Sequence, residues 1–187
     1  MSEAAREKWD ARYGADGYEP SEEPVPFLRE RVGDLGSGSA LCLAAGTGRN
    51  AVFLAERGFA VTAVDISPRG LAWACALAQR RGVEIEIVAA DLLSYDLGTA
   101  AYDLITDFYF YEPDLFPAIG RAIKPGGRFV FQTFSVAQAA MSGGPSNRAF
   151  MVEQGDLLAA FADWRVRYFE DTVVEDQAVV RLIAEKR

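Results

Sequence analysis

The 187-residue sequence contains no histidine. That absence excludes Ser-His-Asp and Cys-His nucleophilic machinery, imidazole acid–base chemistry and histidine-ligated metal sites. Cysteine is scarce: Cys42 and Cys75 are its only occurrences, with no CxxC spacing. Both lie in apolar segments and are expected to be buried thiols behaving as small hydrophobes, with no redox, catalytic or metal role. The longest apolar stretch, Leu71 to Ala78, falls far short of the roughly 18 residues of a membrane span. The opening residues are charged from Glu3 onward and offer no apolar core for a signal peptide, so the expected compartment is the cytoplasm. Positive charge is also in deficit, with 19 Lys and Arg against 27 Asp and Glu and a net charge of −8. A negative field repels phosphate backbones and anionic bilayers, so neither nucleic acid nor membrane is an expected partner.

What remains has ordinary globular proportions: half apolar, a quarter charged, 12% aromatic. The length suits one domain of about 100–200 residues. A chain of this size buries roughly 70% of its unfolded surface, enough to fold without a metal or disulfide. Oligomeric state is not readable.

Residues 3–13 have a helical pattern, with Trp9 and Tyr13 on one face at i, i+4. A turn-rich stretch follows, then a short helix over Phe27 to Val32 stopped by Gly33. From Ala40 the chain alternates strands and helices. Strands are expected at Ala40–Ala44, Ala60–Asp65, Glu84–Ala90, Tyr102–Phe108 and Arg128–Phe134, with helices at Arg49–Arg57, from Pro68 to about Arg81, and at Pro113–Ile123. Ser67-Pro68 is an N-cap with proline at the first helical position. Such repeated β–α units build a parallel sheet covered on both faces. The end differs: a helix near Glu153 to Phe161 precedes strands at Trp164–Phe169 and Gln177–Ala184, joined by Glu170 to Asp176. That connection is too short for a parallel crossover, so an antiparallel strand should lie at or near one edge. The expected fold is α/β, Rossmann-like and doubly wound, with a mostly parallel seven-stranded sheet and an antiparallel C-terminal strand.

The first strand opens into Ala44-Ala45-Gly46-Thr47-Gly48-Arg49-Asn50-Ala51. Glycines here let the backbone turn tightly and approach a ligand at a helix N-terminus. The string fits G-x-G-x-x-A, a dinucleotide fingerprint. The second strand ends at Asp65, whose carboxylate can hold two ribose hydroxyls, as in both NAD and S-adenosylmethionine proteins. Three features favour the latter. The third strand also ends in an acid–apolar pair, Asp91-Leu92, suited to an adenine amino group and ring. The antiparallel ending is not the usual one of a dinucleotide domain, and no room exists for a separate substrate domain of the kind many dehydrogenases carry. Ile66 offers an apolar surface to the adenine face.

With these residues in place, the chain resembles the class I S-adenosylmethionine-dependent methyltransferases, most of all the small tellurite-resistance-like and thiopurine-like group. The resemblance runs from Trp9-Asp10-Ala11-Arg12-Tyr13, similar to a family lid helix, through Leu41 to Asp65, Asp91-Leu92, Tyr102-Asp103-Leu104-Ile105 and Lys124-Pro125-Gly126-Gly127 to the final strands. It implies S-adenosylmethionine as cofactor and a lid and helices over 1–35. It further implies a cofactor-binding core over 40–134 and a substrate side over 135–187. Cofactor contacts are expected from Trp9, Tyr13, Ala44, Gly46, Gly48, Asn50, Asp65, Ile66, Asp91, Leu92 and Asp107. The chain departs from the family in three places. Cys42 replaces an acid, Ala44 stands in a glycine position where its methyl requires a negative φ, and Tyr111-Glu112-Pro113 replaces a histidine-containing string.

Asp107-Phe108-Tyr109-Phe110-Tyr111-Glu112 leaves the fourth strand at the carboxyl edge of the sheet, where open α/β folds bind ligands. Phe108 and Phe110 are expected to pack under the next helix, and Asp107, Tyr109 and Tyr111 to face the site as catalytic candidates. Arg148 is a candidate grip for an anionic acceptor, or else a solvated surface arginine. The expected activity is methyl transfer to a small molecule with a thiol, chalcogen oxyanion or similar nucleophile. An NAD(P)-dependent oxidoreductase and a non-catalytic S-adenosylmethionine-binding protein are the alternatives.

Overall fold

A computed structural model describes residues 3–145 and 147–187, leaving Met1, Ser2 and Ser146 outside the description. Two N-terminal helices, α1 (Glu3–Tyr13) and α2 (Pro26–Arg31), precede the alternating part. There β1 (Ser39–Leu43), α3 (Arg49–Glu56), β2 (Ala60–Asp65), α4 (Pro68–Arg81), β3 (Glu86–Ala89), β4 (Tyr102–Phe108), α5 (Phe116–Ala122) and β5 (Ile123–Phe134) follow in turn. The chain ends with α6 (Gln154–Ala160), β6 (Arg165–Val174) and β7 (Gln177–Glu185). The seven strands form one sheet in the order β3-β2-β1-β4-β5-β7-β6. β1 to β5 pair in parallel, and β7 inserts antiparallel between β5 and β6. This is the expected doubly wound, mostly parallel architecture with its antiparallel strand next to an edge.

Successive strand residues point to opposite faces, and here both faces are apolar. Leu41, Leu43, Ile105, Phe129 and Phe131 pack on one side with Phe116 and Phe161 of the α5–α6 layer. Ala40, Cys42, Leu104 and Val130 pack on the other with Phe27, Leu28, Ala51 and Leu54 of α2 and α3. Helices must therefore cover both faces. At the amino edge Asp103 accepts from Ser39 N and Lys124 Nζ, each at 2.8 Å, binding three strands together.

The structure corrects several expectations. β5 begins at Ile123, since the Lys124–Gly127 stretch already belongs to the strand. Cys42 is buried, and burial pushes its thiol up to about 11, but Cys75 is exposed. α4 turns Leu71, Ala74, Leu77 and Ala78 inward, which leaves Cys75 on its outer face. β6 runs to Val174, so the hairpin loop is only Glu175-Asp176, both with positive φ, 49° and 62°. Two left-handed residues in a two-residue loop make the turn whose twist matches the strands, usually supplied by Asn-Gly. A left-handed conformation costs a non-glycine residue about 1–2 kcal/mol. Replacing Glu175→Asn and Asp176→Gly together should stabilise the fold by about 1 kcal/mol. A higher urea midpoint is the expected result; an unchanged one contradicts the turn assignment.

Candidate active site

The carboxyl ends of β3, β2, β1 and β4 lie side by side at strand spacings of about 4.8 Å. They bring Asp91, Asp65, the Ala44–Gly48 loop and Asp107 to one edge in that order. Backbone bonds continue the sheet past the strand ends: Ala45 N donates to Val64 O and Ala90 N to Asp65 O, each at 3.0 Å.

Asp65 organises the centre. One carboxylate oxygen accepts Gly46 N–H at 2.7 Å, the other Ser67 N–H at 2.8 Å, so the side chain pins both the glycine loop and the turn into α4. Each oxygen keeps a second lone pair for a ligand hydroxyl. Burial raises its pKa in spite of these donors. Gly46 and Gly48 have φ of 55° and 81°. A Cβ on Gly48 would run into Ala74, whose Cα would lie only 2.8 Å away, so α3 and α4 cross here without room for a side chain. Ala44 overturns the expectation of a negative φ: its φ is +46°. The bonds of Ala45 to Val64 and Gly46 to Asp65 over-determine the loop and hold the alanine in this strained state.

Asp107 is the most unusual group. It is 2% exposed, in register with Leu43 of β1 and Phe131 of β5, and its Oδ1 has no hydrogen-bond partner among the described residues. Burial drives its pKa well above the carboxylate range, with the Phe110 N–H offsetting only part of that. Ser135, just past β5, likewise leaves its buried Oγ without a partner among the described residues. Tyr109 follows β4 with φ 63°, a second strained non-glycine residue at this edge. Its ring lies 5.2 Å from that of Phe134, and its hydroxyl reaches Gln132 and Gln177.

The N-terminal helix closes one side. Tyr13 packs over Gly46 and Gly70, stacks on Trp9 at 5.6 Å and meets Tyr18 edge-on at 5.7 Å. Its phenol is driven up by burial first and by the charge of Asp65 second. Trp73 Nε1 donates to Tyr13 O at 3.1 Å, and Asp10 accepts from the Ser67 hydroxyl, latching α1 to the start of α4.

Other expected residues have other neighbours. The Asn50 amide oxygen accepts Val25 N–H at 2.9 Å, tying the N-terminal segment to α3. Asp91 accepts Leu93 N–H at 3.0 Å, Leu92 is buried in the core and Ile66 is half-buried beside Asp65. Tyr111 packs near Phe116 and Phe131. Phe110 packs against the α5–α6 layer as expected, whereas Phe108 packs against the opposite layer of α2 and α3. Arg148 is exposed, with Glu153 as its ion partner at 3.6 Å. Two residues were missed. Asp10 lies inside the Trp9–Tyr13 string expected to form a lid. Arg49, the first residue of α3, has no ion pair among the described residues, and its charge acts on both Tyr13 and Tyr109. Its place in the glycine motif was the available signal. Among the described residues no acidic or sulfur cluster could hold a metal, and no helix is long and apolar enough to cross a membrane.

Residues 40–127 match the family model described as a methyltransferase domain. Demethylmenaquinone methyltransferase of Thermus thermophilus is 37% identical over 101 residues, which are 50% of this chain and 46% of that protein. The chain spans about half the length of the curated relatives it matches. Among solved structures, TehB from Haemophilus influenzae aligns with a TM-score of 0.76 at 15% identity, over 96% of this chain and 67% of that one. A structure reported as "Conversion of a Disulfide Bond into a Thioacetal Group during Echinomycin Biosynthesis" aligns at 0.75 and 23% identity, over 97% and 93%. These two likenesses carry the fold. Residues 40–127 thus match a methyltransferase domain, in a chain that shares its fold with solved S-adenosylmethionine-dependent methyltransferases.

Proposed function

We propose that this chain is one methyltransferase domain that moves a methyl group from S-adenosylmethionine to a small molecule bearing a soft nucleophile, a thiolate or a chalcogen oxyanion. The observation that carries this reading is the buried, unpartnered carboxylate oxygen of Asp107 beside the glycine loop. A buried polar atom without a partner is rare and calls for one. The ammonium of the cofactor's methionine end is the matching donor. The remaining residues fit in order along the edge: Asp65 for the ribose hydroxyls, Asp91, Leu92 and Ile66 for the adenine, Gly46 and Gly48 for close approach, Trp9 and Tyr13 as cover.

When bound, S-adenosylmethionine supplies a methyl group activated on a sulfonium sulfur. The chain's own part is to align the acceptor and keep water out; alignment alone supplies roughly 7–11 kcal/mol in favourable cases. Tyr13 and Trp9 exclude solvent on the cofactor side, and Tyr109 and Phe134 wall the acceptor side. A soft nucleophile is already ionised and needs no base, which accords with the absence of histidine. The sulfur chemistry named for the echinomycin-pathway structure supports a sulfur acceptor.

The test is incubation of the purified protein with S-adenosylmethionine and a panel of thiophenol, 2-mercaptobenzoate and selenite, read by mass spectrometry. Methylated product with equimolar S-adenosylhomocysteine is expected. Tight cofactor binding with no product from any of them contradicts the proposed acceptor class.

A further inference from the structure

A row of polar side chains crosses β5, β7 and β6 on one face of the sheet. Gln132 of β5 stands in register with Arg181 of β7, and Arg181 with Glu170 of β6. Gln132 is 3% exposed and Arg181 7%. Arg181 Nε donates to Gln132 Oε1 at 2.9 Å, and Nη1 to Glu170 Oε2 at 3.1 Å. That carboxylate oxygen also accepts the Tyr168 hydroxyl at 2.7 Å, and the guanidinium lies 5.2 Å from the Phe27 ring. At its other end the row reaches the site: Gln132 Nε2 donates to Tyr109 Oη at 2.8 Å, while Gln132 O accepts the Tyr109 N–H at 2.8 Å.

Arginine fixes the direction of the row. A guanidinium only donates, so the amide oxygen of Gln132 must face Arg181 and its NH2 must face Tyr109. Tyr109 Oη is therefore an acceptor on this side. Its own proton points the other way, to Gln177 Oε1 at 3.2 Å beside the hairpin turn. The other charged groups acting on Tyr109 are Arg49 of α3 and Glu175 of the turn. A phenol oxygen that accepts from an amide backed by a cation is a hydrogen-bond donor toward its open side, and a poor base.

We propose that Gln132 and Arg181 are positioning residues that aim the Tyr109 hydroxyl proton into the acceptor site. The site thereby selects acceptors carrying a carboxylate, carbonyl or oxyanion next to the nucleophilic atom. The bond to Gln177 is exchanged for one to the acceptor. The selection rests on the methyl-transfer reading above; the direction of the row does not.

Gln132→Glu tests this, because it keeps the size and the Arg181 contact but sets a carboxylate oxygen against Tyr109 and turns the phenol proton inward. Thiophenol and 2-mercaptobenzoate differ by one carboxylate. The wild type should prefer 2-mercaptobenzoate in kcat/KM by about ten- to a hundred-fold, the worth of one charge-assisted hydrogen bond. Gln132→Glu and Tyr109→Phe should each remove that preference, the double variant should lose no more than Tyr109→Phe, and S-adenosylmethionine affinity should be retained in Gln132→Glu. A preference that survives Gln132→Glu, or losses that add in the double variant, overturns the proposal. A second readout needs no turnover: the ultraviolet tyrosinate titration of Tyr109, taken as the difference from Tyr109→Phe in each background. It should move to higher pH in Gln132→Glu, and an unmoved titration overturns the relay. A moved titration in a protein that methylates no probe overturns the methyl-transfer reading instead.

Discussion

Asp65→Ala should abolish measurable S-adenosylmethionine binding while leaving the sheet folded. The substitution removes the acceptor for Gly46 N–H and for Ser67 N–H together, so the glycine loop and the turn into α4 lose their common anchor. It also removes the lone pairs that would take the ribose hydroxyls. Hydrogen bonds to a charged group contribute about 1.5–3 kcal/mol each, so losing two to the ribose weakens binding by at least about a hundred-fold. Titration calorimetry reads the loss and circular dichroism the fold; near-normal affinity contradicts the assignment. The same carboxylate makes binding pH-dependent. Burial raises the pKa of Asp65 without ligand, whereas ribose hydroxyls favour its charged form. Affinity should therefore fall as pH drops through that raised pKa, and binding just below it should release a proton. Calorimetry in buffers of differing ionisation enthalpy measures that release.

Asp107→Asn should have the second largest effect, and its sign differs between binding and stability. The cofactor ammonium that the buried carboxylate is proposed to receive would meet a neutral amide in the variant. S-adenosylmethionine affinity should fall by about ten- to a hundred-fold, the range of a charge-assisted hydrogen bond. The free protein behaves oppositely. A carboxyl whose folded pKa is raised lends stability that is fully present below its unfolded pKa and is lost as pH rises through the folded value. Wild-type protein without cofactor should thus lose stability across that interval, and Asp107→Asn should lack that contribution. The variant should then be as stable as the wild type or more so at alkaline pH. Urea midpoints over a pH series distinguish the outcomes. A variant that binds the cofactor like the wild type places Asp107 outside the site.

Much of this was legible because it is local. The Gly46–Asn50 string, Asp65 at the end of β2 and the Ser67 cap each follow from a few neighbouring residues, and the Glu170–Asp176 connection was short enough to force an antiparallel strand. What escaped depends on bonds between distant segments. Ala44 takes a positive φ because Val64 and Asp65 hold the residues after it. The hairpin loop was placed too long because Glu175-Asp176 lacks the Asn-Gly signal of its turn type. The Gln132–Arg181–Glu170 row needs the register of three strands, which no local pattern in β5, β6 or β7 supplies. Arg49 and Asp10 lay inside motifs already marked, where the glycines and aromatics around them drew the reading.

The most direct measurement is calorimetric titration of dialysed protein with S-adenosylmethionine, S-adenosylhomocysteine and NAD, repeated on Asp107→Asn. The account predicts that the wild type binds both sulfur nucleosides and not NAD, and that Asp107→Asn weakens both, since both carry the ammonium that the buried carboxylate would receive. Binding of NAD alone, or sulfur nucleosides held equally well by the variant, would contradict it.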